Sequence, residues 1–147
     1  MKTIKGNLFI AMYLMGVSLF LFACNSSLDI QQNYGFDVQT MPVRKDIKPG
    51  ETAEIRCSLT EKGTFTNNRY SIRFFQVEGY GELRLRKDGE TFLPNDRYPL
   101  PDKEFRLYYT SRSDESQQFE VVVEDSFGNE RKLEFQFNAK KEKEPDA

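Results

Sequence analysis

Two thiols, Cys24 and Cys57, and no imidazole define the chemistry open to this 147-residue chain. Without histidine there is no Ser-His-Asp triad, no Cys-His dyad and no His-ligated zinc. Isolated carboxylates such as Asp102 and Glu104 show no pairing that would support general acid–base work. Asp88-Gly89-Glu90 and the stretch from Asp125 to Glu130 offer oxygen atoms to calcium, yet neither repeats the acidic spacing of a dedicated loop. Gly79-Tyr80-Gly81 is followed by no Lys-Ser/Thr pair and no helix start, so it reads as a turn and not as a phosphate cradle. These residues imply no enzyme, no metal and no cofactor.

Cys24 is the exception, because its neighbours suit a modification. Lys2 and Lys5 give a basic start, and Leu8 to Ala23 form an apolar run broken only by Gly16 and Ser18. A bilayer-spanning helix needs about 20 apolar residues, so the run fits an export signal better than a permanent span. It ends in Leu21-Phe22-Ala23-Cys24, the layout of a bacterial lipobox. A small residue before the cysteine lets a signal peptidase reach the peptide bond, and the thiol takes the lipid. Phe22 is bulkier than usual at its position. The expectation is a signal over residues 1–23, then lipidation of Cys24, with several acyl chains holding the product on a membrane.

Cleavage there would remove 23 of the 147 residues and leave 124, enough for one domain. The signal holds two of the 21 basic residues and none of the 23 acidic ones, so the remainder carries 19 and 23, a net charge near −4. That balance opposes bulk attraction to nucleic acid. With Cys24 lipidated, Cys57 has no partner for an intrachain disulfide, and the core alone must stabilise the fold.

The elements that must position any surface are strands. Residues 24–33 are polar and aperiodic, a tether. Over 34–139 the alternation has period two, with turn signals at short intervals. Phe36, Val38 and Thr40 alternate. Lys48-Pro49-Gly50-Glu51 is a turn, after which Ala53, Ile55, Cys57 and Leu59 share one face. That phase places Cys57 in the core. Further strands are expected at Tyr70–Val77, Glu82–Arg86, Phe105–Tyr109, Phe119–Val123 and Leu133–Phe137, with hairpin turns at Lys87-Asp88-Gly89-Glu90 and Asp125–Asn129. Pro94 to Asp102 holds three prolines and reads as an irregular connection. Residues 140–147 form a charged tail. About seven short strands predict an all-β, antiparallel immunoglobulin-like β-sandwich. A small barrel is the alternative.

Seven arginines, Arg69, Arg73, Arg84, Arg86, Arg97, Arg106 and Arg112, crowd the middle of the chain. The plain reading is a solvated face whose arginines pair with glutamates across strands. The functional reading is a docking surface, since Arg and Tyr concentrate at interface hot spots. Adjacent strand residues point to opposite faces, so one member each of Phe74-Phe75 and Tyr108-Tyr109 is expected outside. The candidate partner-binding set is Arg73, Phe75, Tyr80, Arg84, Arg86, Tyr98 and Tyr108.

Tyr70-Ser-Ile-Arg-Phe-Phe-Gln76, Asn95-Asp-Arg-Tyr-Pro-Leu100, Phe105-Arg-Leu-Tyr-Tyr-Thr-Ser111 and Val123-Glu-Asp-Ser-Phe-Gly128 resemble the TraQ family of conjugative-transposon proteins from Bacteroides-type bacteria. The resemblance spans roughly residues 34–138. It implies a role in transfer of a mobile element beside an envelope-spanning mating apparatus, with no catalytic residues to assign. The expected product is a non-enzymatic lipoprotein that serves as an accessory or assembly component of that apparatus. Its partners would be the membrane, through lipid, and another envelope protein, with no nucleic acid and no small-molecule substrate. The competing reading is a surface-exposed module that binds glycan or a host protein. Only Asp29 is acidic close behind Cys24, which favours the periplasmic face of the outer membrane over the cell surface.

Overall fold

The computed structural model describes residues 35–63 and 67–140. The expected export signal, Cys24, the expected tether and the tail beyond Lys140 lie outside the described residues. Within them the chain forms β1 (Phe36–Thr40), β2 (Asp46–Ile47), β3 (Thr52–Glu61), β4 (Tyr70–Glu78), β5 (Gly81–Arg84), β6 (Tyr98–Leu100), β7 (Glu104–Ser111), β8 (Gln117–Asp125) and β9 (Glu130–Ala139).

The strands make two sheets, in the orders β1-β3-β7-β5 and β2-β9-β8-β4-β6. The first is the A-B-E-D order of an immunoglobulin-like sandwich, and β9-β8-β4 supplies its G-F-C order. The two strands beyond the expected seven flank the second sheet. β2 is two residues long and parallel to the end of β9. β6 corrects the reading of Pro94–Asp102 as wholly irregular: Ser71 of β4 faces Pro99, and Ile72 faces Tyr98. Proline lacks an N–H, so a sheet edge is where it is tolerated.

Alternation sorts the faces. In β3, Ala53, Ile55, Cys57 and Leu59 are buried, while Thr52, Glu54 and Arg56 are exposed. Cys57 lies in the core as its phase predicts, and burial pushes its thiol up to about 12. Aromatics fill the middle of the core. Tyr109 stacks on Phe119 at 4.1 Å between ring centres, and Phe119 meets Phe135 at 5.1 Å and Phe74 at 5.8 Å. Such pairs each contribute about 1 kcal/mol beyond their area burial.

Turn chemistry sets the registers. Glu51 N–H donates to Lys48 C=O at 3.0 Å, and Gly50 takes φ 81° between them, as a Pro-Gly type II turn requires. In the β8–β9 hairpin the buried Asp125 carboxylate accepts Phe127 N–H at 3.0 Å, Asn129 N–H at 2.8 Å and Asn129 Nδ2 at 2.8 Å. Its oxygens thus hold the turn, which explains why this acidic stretch offers little to a cation. Among the described residues no group of His, Cys, Asp or Glu is arranged to hold a metal ion.

Candidate functional site

The flank where β5 and β6 end their sheets collects four of the seven candidate residues. Chain between these strands folds back over the flank. Phe92 N–H donates to Leu83 C=O of β5 at 2.8 Å, and Asn95 N–H donates to Phe74 C=O of β4 at 2.9 Å. Asn95 adopts φ 66°, a left-handed conformation that asparagine accepts more readily than most residues. Phe92 is buried and stacks on Tyr98 at 4.1 Å with the rings 7° from parallel. Tyr98 also accepts Leu93 N–H on its hydroxyl at 2.8 Å.

Two clefts open on this flank. One, of about 330 Å³, is lined by Leu85, Arg86, Lys87, Pro101, Asp102 and Tyr108 among others. The second, of about 260 Å³, shares Leu85, Arg86 and Pro101 and adds Phe92, Tyr98 and Pro99. Arg84 stands beside them, opposite Tyr108 in the β5–β7 register, and its Nε donates to Thr91 Oγ1 at 3.1 Å. Its guanidinium also reaches Glu82 at 3.2 Å. Arg86 and Lys87 are exposed and form no ion pair with a described carboxylate. The flank therefore presents two uncommitted cations beside proline, leucine and tyrosine surface.

The other three candidates lie elsewhere. Arg73 and Phe75 project from the outer face of the second sheet, with the Arg73 guanidinium 5.8 Å from the Phe75 ring centre. Arg73 is engaged locally, 2.9 Å from Glu130 and 3.6 Å from Glu124. Tyr80, 61 % exposed, precedes β5 at the end away from Arg86, where its N–H donates to Ser113 Oγ at 3.1 Å. The seven thus make no single face. The plain reading of the arginines also holds in part, for Arg97 meets Glu124 at 3.0 Å, Arg106 meets Glu54 at 3.1 Å and Arg112 meets Glu82 at 3.1 Å.

A polar cluster escaped the sequence reading. Tyr70 Oη donates to Glu61 Oε1 at 2.8 Å, Lys103 Nζ lies 3.0 Å from Glu61 Oε2, and Asn68 Nδ2 donates to Tyr70 Oη at 3.0 Å. The Lys103 and then the Tyr70 hydrogen bond hold the Glu61 carboxyl below its usual range. Burial first, then Glu61, raises the Tyr70 phenol. These groups, with Pro99, Leu100 and Pro101, line a third cleft of about 350 Å³. Their spacing of 9 and 42 residues carries no local signal.

The fold defines an all-β, two-sheet sandwich module. The model of the TraQ conjugal transfer protein family matches residues 7–140, and the chain belongs to that family, which implies a role in conjugative transfer. A crystal structure of a conjugative transposon lipoprotein from Bacteroides eggerthii is 52 % identical, with a TM-score of 0.67 over 72 % of this chain and 99 % of that one. A solution structure of a lipoprotein from Bacteroides thetaiotaomicron is 51 % identical, TM-score 0.66, over 80 % and 90 %. A conjugate transposon protein from Bacteroides vulgatus is 45 % identical, TM-score 0.63, over 78 % and 93 %. Comparison with the curated proteins returned no match.

Proposed function

We propose that the chain is a non-enzymatic accessory or assembly lipoprotein of a conjugative transfer apparatus. Lipid on Cys24 holds it at the periplasmic face of the outer membrane, and it docks another envelope protein through the β5–β6 flank. The relatives described as conjugative transposon lipoproteins support the setting. The observation that carries the docking role is the pair of uncommitted cations, Arg86 and Lys87, beside Leu85, Pro101 and Tyr108. Charge at the rim steers encounter, while the aromatic and aliphatic surface supplies the buried contact.

The test is transfer of the element from a donor carrying Arg86→Glu with Lys87→Glu, beside a donor lacking the gene. Loss of hot-spot cations costs more than ~1 kcal/mol each, so capture of the partner should weaken about tenfold or more. Transfer should fall in both donors, with the variant chain present at its normal level. Undiminished transfer from the deletion strain would remove the reading altogether. Full transfer from the charge-reversed strain would remove the flank from it.

A further inference from the structure

The two flanks of the sandwich are finished differently. At the β5–β6 flank the backbone is capped by Phe92, Asn95 and the edge proline Pro99. At the opposite flank the second sheet ends on β9, ten residues long, and β2 pairs only with Asn138 and Ala139. From Glu130 to Phe137 no described strand covers the outer edge of β9. An open edge of that length is a template for another strand.

The direction of the backbone groups along this edge is fixed. Asn138 N–H donates to Lys45 C=O at 2.7 Å, and Lys140 N–H donates to Ile47 C=O at 3.1 Å. Even-numbered residues of β9 therefore aim their N–H and C=O groups away from β8, and Lys132, Glu134 and Gln136 are among them. Their side chains point to solvent, whereas Phe135 and Phe137 point to the core.

We propose that this edge takes up the β9 of a second copy of the chain, antiparallel, about a two-fold axis at Leu133. Charge and length of overlap together select the register, and the Lys132 concerned also lies 2.7 Å from Glu120 of its own chain. With the axis at Leu133, Lys132 of each copy faces Glu134 of the other, twice, and Glu130 faces Gln136. Moving the axis to residue 132 sets Lys132 against Lys132 and Glu130 against Glu134. Moving it to residue 134 sets Glu134 against Glu134. In the favoured register the even-numbered residues exchange backbone hydrogen bonds, as the edge requires. On the inner side the half-buried Leu133 side chains of the two copies meet at the axis. Seven residues from each strand make a small interface, weak in free solution. Confinement of both copies to one membrane surface would raise their effective concentration and favour it.

The test uses the full-length lipoprotein, carrying Leu133→Cys, in native membranes under mild oxidation. Directly opposed residues that do not exchange backbone hydrogen bonds lie about 4.5 Å apart between Cα atoms, within disulfide reach. A disulfide-linked dimer is expected. Adding Lys132→Glu or Glu134→Lys to the reporter turns both symmetry-related pairs repulsive and should cut the dimer yield about tenfold. Co-expressing the two variants makes every opposed pair complementary again and should restore the cross-link. Circular dichroism checks that each variant is folded. Equal cross-linking in all cases would mark random collision and overturn the proposal. So would a Leu133→Cys chain that stays monomeric, or one that links only to a different protein.

Discussion

Gly81 lies directly against the ring of Tyr109: a Cβ at position 81 would stand 2.1 Å from Tyr109 Oη and 2.2 Å from its Cζ. Tyr109 is fully buried at the far end of β7 and is anchored there by Gln117, whose Oε1 lies 2.6 Å from the phenol oxygen. Gln76 Nε2 adds a contact at 3.0 Å, and Gln117 Nε2 donates to Ser111 Oγ. Where the chain passes from one sheet to the other, only a residue without a side chain fits over this network.

Gly81→Ala is therefore expected to destabilise the fold by about 3 kcal/mol, because the ring has no free volume into which to retreat. Gly50 provides the contrast. Its φ is 81°, yet nothing lies within 4 Å of its missing Cβ. Gly50→Ala should then cost only the backbone strain, about 1–2 kcal/mol. Urea unfolding midpoints for the two variants distinguish steric from conformational need, and equal costs would refute the steric account.

The β8–β9 hairpin depends on one carboxylate. Asp125→Ala leaves the Phe127 and Asn129 amides without their Asp125 acceptor in a turn that fixes the register of both strands. The expected loss is about 1–3 kcal/mol, the net contribution of hydrogen bonds to a charged acceptor in a part-buried turn. Amide exchange followed by NMR should show Asn129 losing protection. If its exchange is unchanged, the carboxylate is not what holds the turn.

Much of this framework is legible in the sequence because strand alternation is a local signal. Ala53, Ile55, Cys57 and Leu59 announce β3 and its buried face, and Pro49-Gly50 announces the turn before it. β6 was hidden because three prolines within nine residues obscure a strand of three, one that exists only where β4 offers an edge. For the candidate surface residues the sequence carries the face of each strand and no more. Strand phase correctly separates Phe74 from Phe75 and Tyr109 from Tyr108. It does not tell which sheet each outer residue adorns: Arg73 and Phe75 face the opposite side from Arg84 and Tyr108. The sheet order decides that question, through pairings such as Glu54 with Tyr108 that lie far apart along the chain. The cluster of Glu61, Tyr70 and Lys103 was silent for the same reason.

Glu61, Tyr70 and, separately in the core, Tyr109 make stability depend on pH at both extremes. In the folded state the Lys103 and Tyr70 hydrogen bonds lower the Glu61 pKa below its unfolded value. A depressed acid contributes stability that is present above the unfolded pKa and is lost as pH falls through the folded one. The acid limb should accordingly decline below the normal carboxylate range, and Glu61→Gln should flatten it. Phenols work in the opposite sense. Burial raises Tyr109 to about 12, and Tyr70 rises as well. An unfolded tyrosine ionises near 10, so from about pH 10 upward the unfolded chain releases protons that the folded chain keeps. Tyr109 then draws stability down by about 1.4 kcal/mol for each pH unit until its folded pKa is passed. Urea titrations from pH 8 to 12 should show this fall, with Tyr109 ionising only on unfolding. Tyr109→Phe should start less stable at pH 8, because Gln117 Oε1 loses its phenol donor, yet decline less steeply. A variant that declines as steeply as the parent would place the alkaline sensitivity elsewhere.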